Sequence, residues 1–140
     1  MRYVDTSVLL AYLTRETFSE QAERFLRSTG APLAFSSWTE TELMSALGVK
    51  IRTGQLPQVA AEAVCNAWSE RVAPCMLRLA VLDEHHRAAA HLLRGWPGTL
   101  RAGDALHLAI AHAHGGALHT LDRALAAAAT ALGLEADLIA

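Results

Sequence analysis

Short β-prone stretches alternate with helical ones along the whole chain, and this alternation restricts the fold more than any other feature. Residues 2–4 read as a strand followed by a short apolar helix through Leu13. A second helix is expected from Thr17, with Thr17 and Glu20 as a capping box, Ala22, Phe25 and Leu26 on its apolar face and Gly30 past its end. Residues 32–35 read as the second strand. Ser36 and Ser37 offer an N-cap for a long helix to Thr53, in which Leu43, Leu47 and Ile51 recur at helical spacing. A helix opens at Pro57 and runs to about Val72, a strand centres on Leu77 and Leu79, and another helix starts at Asp83. Gly103 and Asp104 start a helix through Ala113. Residues 117–120 form a strand, Asp122 opens a helix to about Leu132, and residues 136–139 form the last strand. Such alternation implies an α/β fold, with helices on both faces of a mainly parallel central sheet.

With 140 residues the chain suits a single domain spanning 1–140. Nothing in it matches the apolar run of about 18 residues that spans a membrane. Its start lacks the pattern of a signal peptide, so a cytoplasmic location is expected. Cys65 and Cys75 are isolated in sequence and, in a reducing compartment, read as buried thiols or bystanders. The net charge of -2 weighs mildly against a nucleic-acid substrate, unless several acids are committed to cations. Lys50 is the sole lysine, so arginine carries the remaining positive charge.

Asp5, Asp104 and Asp122 all stand at expected helix starts, and Asp5 and Asp122 follow strands at their carboxyl ends. Ligands of open parallel sheets bind outside those ends. Taken singly, each aspartate reads as an ordinary N-cap, and Glu42 reads as a solvated helix residue. Together, these four acids at one sheet edge would repel one another unless neutralised, and clustered carboxylates suit Mg²⁺ or Mn²⁺. Glu40 is the alternative helix acid. It lies about 200° around the helix from Glu42, so the two do not share a face. Thr6, Ser7 and Thr120 are hydroxyls placed to orient water or phosphate near the acids, or to make local turn bonds.

At these residues the chain resembles the PIN-domain family, in particular the toxin half of VapBC toxin–antitoxin pairs. The stretch RYVDTSVLLAYL resembles the first strand and first acid, and FSSWTETELMSAL the second strand and the glutamate helix. LRAGDALHLAIAHAHG is similar to the third acidic motif, and ALHTLDRALAAAATALGL to the last. The four occur in family order. Leu43, Ala46 and Leu47 fit the pattern after the glutamate, which favours Glu42 over Glu40. The resemblance implies a three-layer α/β/α sandwich and a metal-dependent endoribonuclease. One or two Mg²⁺ or Mn²⁺ ions would be held by Asp5, Asp104 and Asp122, with Glu42 as a ligand or water partner. It further implies products with a 5′-phosphate and a 3′-hydroxyl, a homodimer, and a VapB-type antitoxin that closes the site. Arg15, Arg24, Arg27, Arg52 and Arg101 are candidates for an RNA-binding rim.

Two other readings compete. An aspartate-nucleophile phosphatase usually carries a second acid two residues after the first, where this chain has Ser7. A non-catalytic interaction module on the same fold is the other. The seven histidines lack the i, i+4 pair of a zinc helix. His107, one turn after Asp104, is placed to hydrogen-bond near the acid cluster, although such a histidine is more often simply packed. Trp38, Trp68 and Trp96 are expected in the core or at an interface. No GxGxxG, P-loop or GxSxG motif is present.

Overall fold

A computed structural model describes residues 1–139. In chain order the elements are β1 (Arg2–Val4), α1 (Thr6–Leu13), α2 (Ser19–Arg27), β2 (Leu33–Ser36), α3 (Ser37–Arg52) and α4 (Gln58–Ala67). They continue with β3 (Leu77–Leu79), α5 (Asp83–Leu93), α6 (Ala102–Ala113), β4 (Ala117–Thr120), α7 (Arg123–Ala131) and β5 (Ala136–Leu138). The five strands are parallel in the order β3-β2-β1-β4-β5. Seven helices flank the sheet, giving the expected α/β sandwich.

The pleat sends neighbouring residues to opposite faces. Tyr3 and Ala34 belong to a cluster with Leu106, Ile110, Leu118 and Leu125. Val4 and Phe35, their immediate neighbours, belong to another with Val8, Leu9, Leu43 and Trp68. The hydrophobic core is thus two layers of side chains, one on each side of the sheet. Each large apolar side chain so buried contributes roughly 1.5–3 kcal/mol.

Two local expectations change. The helix expected from Thr17 begins at Ser19, and Thr17 forms no capping box. Ser19 Oγ takes over this corner: it accepts from the Glu16 amide at 2.9 Å and donates to the Ala11 carbonyl at 2.6 Å, tying α2 back onto α1. After Pro57 the regular helix ends at Ala67 and widens into a π turn over Trp68–Val72. That turn seats the Trp68 ring edge-on against Phe35, with centroids 4.8 Å apart. Trp68 is a core residue as expected, whereas Trp96 sits on an open loop, 89% exposed. Among the described residues no helix is long and apolar enough to cross a membrane.

Candidate active site

β1 is central, and the chain builds outward from it through β2 to β3 before returning to place β4 on its other side. The connections therefore diverge between β1 and β4, leaving a crevice beyond their carboxyl ends. Asp5 follows β1 directly, and its amide still bonds the His119 carbonyl at 2.9 Å. Asp122 lies two residues past β4, Glu42 in the second turn of α3, and Asp104 in the first turn of α6. All four line one cavity of about 260 Å³, together with Thr6, Ser7, Ser45, Ala46 and Arg101.

In each acid one oxygen accepts hydrogen bonds from the protein and the other accepts none among the described residues, although Asp5 Oδ1 and Asp122 Oδ2 have His107 and Arg101 within ion-pair distance. Asp5 Oδ2 accepts from Ser7 at 2.6 Å and from Thr120 at 2.8 Å. Glu42 Oε1 accepts from Thr6 Oγ1 at 2.7 Å and meets His107 Nε2. Asp122 Oδ1 caps α7, accepting from the amides of Ala124 and Leu125 at 2.8 and 3.1 Å. Asp104 Oδ2 accepts from Arg101 Nε at 3.2 Å. The plain capping explanation therefore fits Asp122 only. Asp5 has the backbone of an N-cap but makes no side-chain cap bond, and Asp104 lies inside its helix with Arg101 as the cap residue.

The hydroxyls serve the acids. Thr6, Ser7 and Thr120 donate to Glu42 or Asp5, while Ser7 and Thr120 also accept the amides of Leu121 and Asp122. Their hydrogens are committed to carboxylates, and they orient water or phosphate only as acceptors in this arrangement. Glu40 faces elsewhere, its two oxygens bonded by Arg78 of β3 at 2.8 and 3.1 Å.

His107, weighed in the sequence as a hydrogen-bond partner of the acids but left outside the site, stands beside two of them. It is completely buried, and its Nε2 lies 3.6 Å from Asp5 Oδ1 as well as against Glu42. One ligand atom each from Asp5, Glu42 and His107 lie within 4.8 Å of one another. The available signal was the i, i+3 spacing from Asp104, which puts both on one helix face.

The charges act on one another. Burial pushes the Asp104 carboxyl up, Arg101 opposes this, and the nearby Asp5 and Asp122 charges leave it raised. Burial also acts to raise Glu42, but the hydrogen bond and charge of His107, with Thr6 and Arg101, hold it below its ordinary value. For His107 burial favours the neutral ring, yet Glu42, Asp5 and Asp104 outweigh it and the imidazole is raised.

Of the five expected rim arginines, Arg101 alone lines the acidic cavity; its guanidinium also lies 3.8 Å from Asp122 Oδ2. Arg24 and Arg27 pair with Glu20 and Glu23 along α2. Arg15 borders a separate cavity with Tyr12, Lys50 and Leu56, and Arg52 folds back beside Gly48.

The donor set is rich in hard oxygen, with one carboxylate oxygen of each acid outside the protein's hydrogen bonds among the described residues. This fits a divalent cation such as Mg²⁺ or Mn²⁺.

Several solved structures share this architecture. FitAcB from Neisseria gonorrhoeae is 17% identical, with a TM-score of 0.78 over 99% of this chain and 98% of that one. VapC20 of Mycobacterium tuberculosis, described as a sarcin-ricin loop cleaving toxin, is 20% identical, with a TM-score of 0.70 over 91% and 95%. PAE2754 from Pyrobaculum aerophilum is 26% identical, with a TM-score of 0.61 over 91% and 78%. No curated protein matches by sequence. The model of the PIN domain matches residues 2–131, and the chain belongs to the PIN-domain family.

Proposed function

We propose that this chain is a divalent-cation-dependent endoribonuclease acting as the toxin of a toxin–antitoxin pair. The observation that carries the reading is the convergence of Asp5, Glu42, Asp104 and Asp122 on one cavity, each with an oxygen that accepts no protein hydrogen bond among the described residues. Asp5, Asp104 and Asp122 would hold Mg²⁺ or Mn²⁺, one ion or two, with Glu42 as a further ligand or water partner. Such a cation supplies Lewis-acid polarisation of a phosphoryl oxygen and a more acidic water for attack on the phosphodiester.

The protein's own groups do the placing. Ser7 and Thr120 fix the rotation of Asp5, and Thr6 with His107 fixes that of Glu42. The backbone of α7 fixes Asp122. Preset carboxylates lower the cost of organising the site at the moment of reaction. Arg101 reaches Asp104 and Asp122 from an exposed position. Once a cation satisfies these acids, its guanidinium is free to take a substrate phosphate.

The structural neighbours include a toxin–antitoxin complex from Klebsiella pneumoniae and VapBC2 from Rickettsia felis bound to promoter DNA. These support a VapB-type antitoxin as partner here; a homodimer as the working form belongs to the same proposal.

The test is cleavage of a mixed RNA pool. Activity should vanish in EDTA and return with Mg²⁺ or Mn²⁺, but not with Ca²⁺, whose looser coordination replaces octahedral geometry poorly. Undiminished cleavage in chelator would sink the proposal.

A further inference from the structure

Tyr3, Ser36 and His107 are all fully buried, and none belongs to the acid set. Their polar atoms nevertheless form one line from the core to the cavity. Ser36 Oγ lies 2.8 Å from Tyr3 Oη, Tyr3 Oη lies 2.8 Å from His107 Nδ1, and His107 Nε2 meets Glu42 Oε1. Buried polar groups are costly unless each finds a partner. Here the line closes in two ways, because each hydroxyl can donate or accept. With Nδ1 bare, Tyr3 donates to it and accepts from Ser36. With Nδ1 protonated, Tyr3 accepts from it and donates to Ser36. Nε2 donates to Glu42 in both.

Thr6 donates to that same oxygen. Glu42 Oε1 is therefore held from two directions, from β1 through Tyr3 and His107 and from the start of α1 through Thr6. Oε2 is left without a donor beside Gly103. A histidine that merely filled core volume would need no such alignment.

We infer that His107, clamped by Tyr3, is a positioning residue that sets the rotation of the Glu42 carboxylate and presents Oε2 to the cation. The inference rests on reading the acid cluster as a cation-dependent nuclease site. His107 acts through Glu42, and second partners of this type commonly change metal affinity or activity about 10- to 100-fold.

The test is a double-mutant cycle in the full chain, read by Mn²⁺ calorimetry, single-turnover RNA cleavage and thermal melting. Glutamine carries its amide nitrogen at the ε position and can replace the bond to Glu42, whereas asparagine carries it at the δ position. His107→Asn should lower Mn²⁺ affinity and cleavage about 10- to 100-fold. His107→Gln should recover most of both. On a Glu42→Gln background, His107→Asn should cost no more than about twofold further, because the partner it acts through is already altered. If either histidine variant fails to fold, Tyr3→Phe replaces it. That variant keeps the ring, and its loss should likewise disappear on the Glu42→Gln background. Equal losses with Asn and Gln, or losses that add fully to Glu42→Gln, overturn the inference while leaving the nuclease reading intact. Failure of the unsubstituted protein to bind Mn²⁺ overturns both.

Discussion

A methyl group built on Gly103 would stand 2.9 Å from Glu42 Oε2 and 3.2 Å from the Trp38 ring. Glu42 cannot retreat freely, because Thr6 and His107 hold its other oxygen. Gly103→Ala should therefore leave the fold intact, since alanine gains up to about 1 kcal/mol of helix propensity over glycine. It should still turn the carboxylate and lower cleavage at least about tenfold, as when a group that orients a ligand is disturbed. Melting curves beside initial rates check this, and a variant with unchanged rate would show that the rotation of Glu42 does not matter.

The aspartates should separate in stability measurements. Asp122 caps α7 through two amides, so Asp122→Ala should cost about 0.5–2 kcal/mol. Asp104 caps nothing and sits among like charges that raise it. Asp104→Asn should leave the cation-free melting temperature unchanged or raised while abolishing cleavage. A large fall on Asp104→Asn would mean that the Arg101 pair, rather than repulsion, dominates at this position.

Cation binding should register as stability. At a Mn²⁺ concentration 100 times the dissociation constant, the folded state gains about 2.7 kcal/mol. Denaturant titration with and without Mn²⁺ reads this directly. Asp5→Asn should remove most of the gain, because Asp5 is the central acid, next to β1 and within reach of His107.

His119 offers a pH test outside the cavity. Its ring packs on Phe25 with centroids 4.8 Å apart. Burial pushes the imidazole down; Asp137 opposes this, and Arg2 and the amino terminus reinforce it. With the folded value below the unfolded one of about 6.5, the unfolded chain binds the proton first as the pH falls. The contribution of His119 is therefore full above about pH 6.5 and is lost as the pH drops toward the folded value. His119→Phe should flatten the fall in denaturant midpoint between about pH 7.5 and 5. An identical pH slope in the variant would exclude this origin.

Much of the architecture was legible because the pattern and the topology agree. Gly54 and Gly133 close α3 and α7 with positive φ, as their places in the sequence suggest. The four acids were legible because each follows a strand or sits near the start of a helix. What escaped was whatever depends on packing across the sheet. Thr17 and Glu20 spell a capping box, yet Ser19 bonds backward to Ala11 and sets a different corner. For His107 the sequence left packing and a bond to the acids both open, because its partners, Tyr3 and Glu42, are 104 and 65 residues away. Glu40 and Glu42 look alike in sequence, and it is Arg78, far along the chain on β3, that draws Glu40 away.

The placement of β4 beside β1 has a further consequence during synthesis. Asp5 emerges well ahead of its partners: Thr120, which holds it, and Asp122, which completes the set, are more than a hundred residues behind. Until β4 docks on β1, the growing chain has a bare central strand and no assembled site. A truncated or half-made copy of this protein therefore carries scattered carboxylates and no cavity to gather them, and the acid cluster comes into being only when the fold is nearly closed.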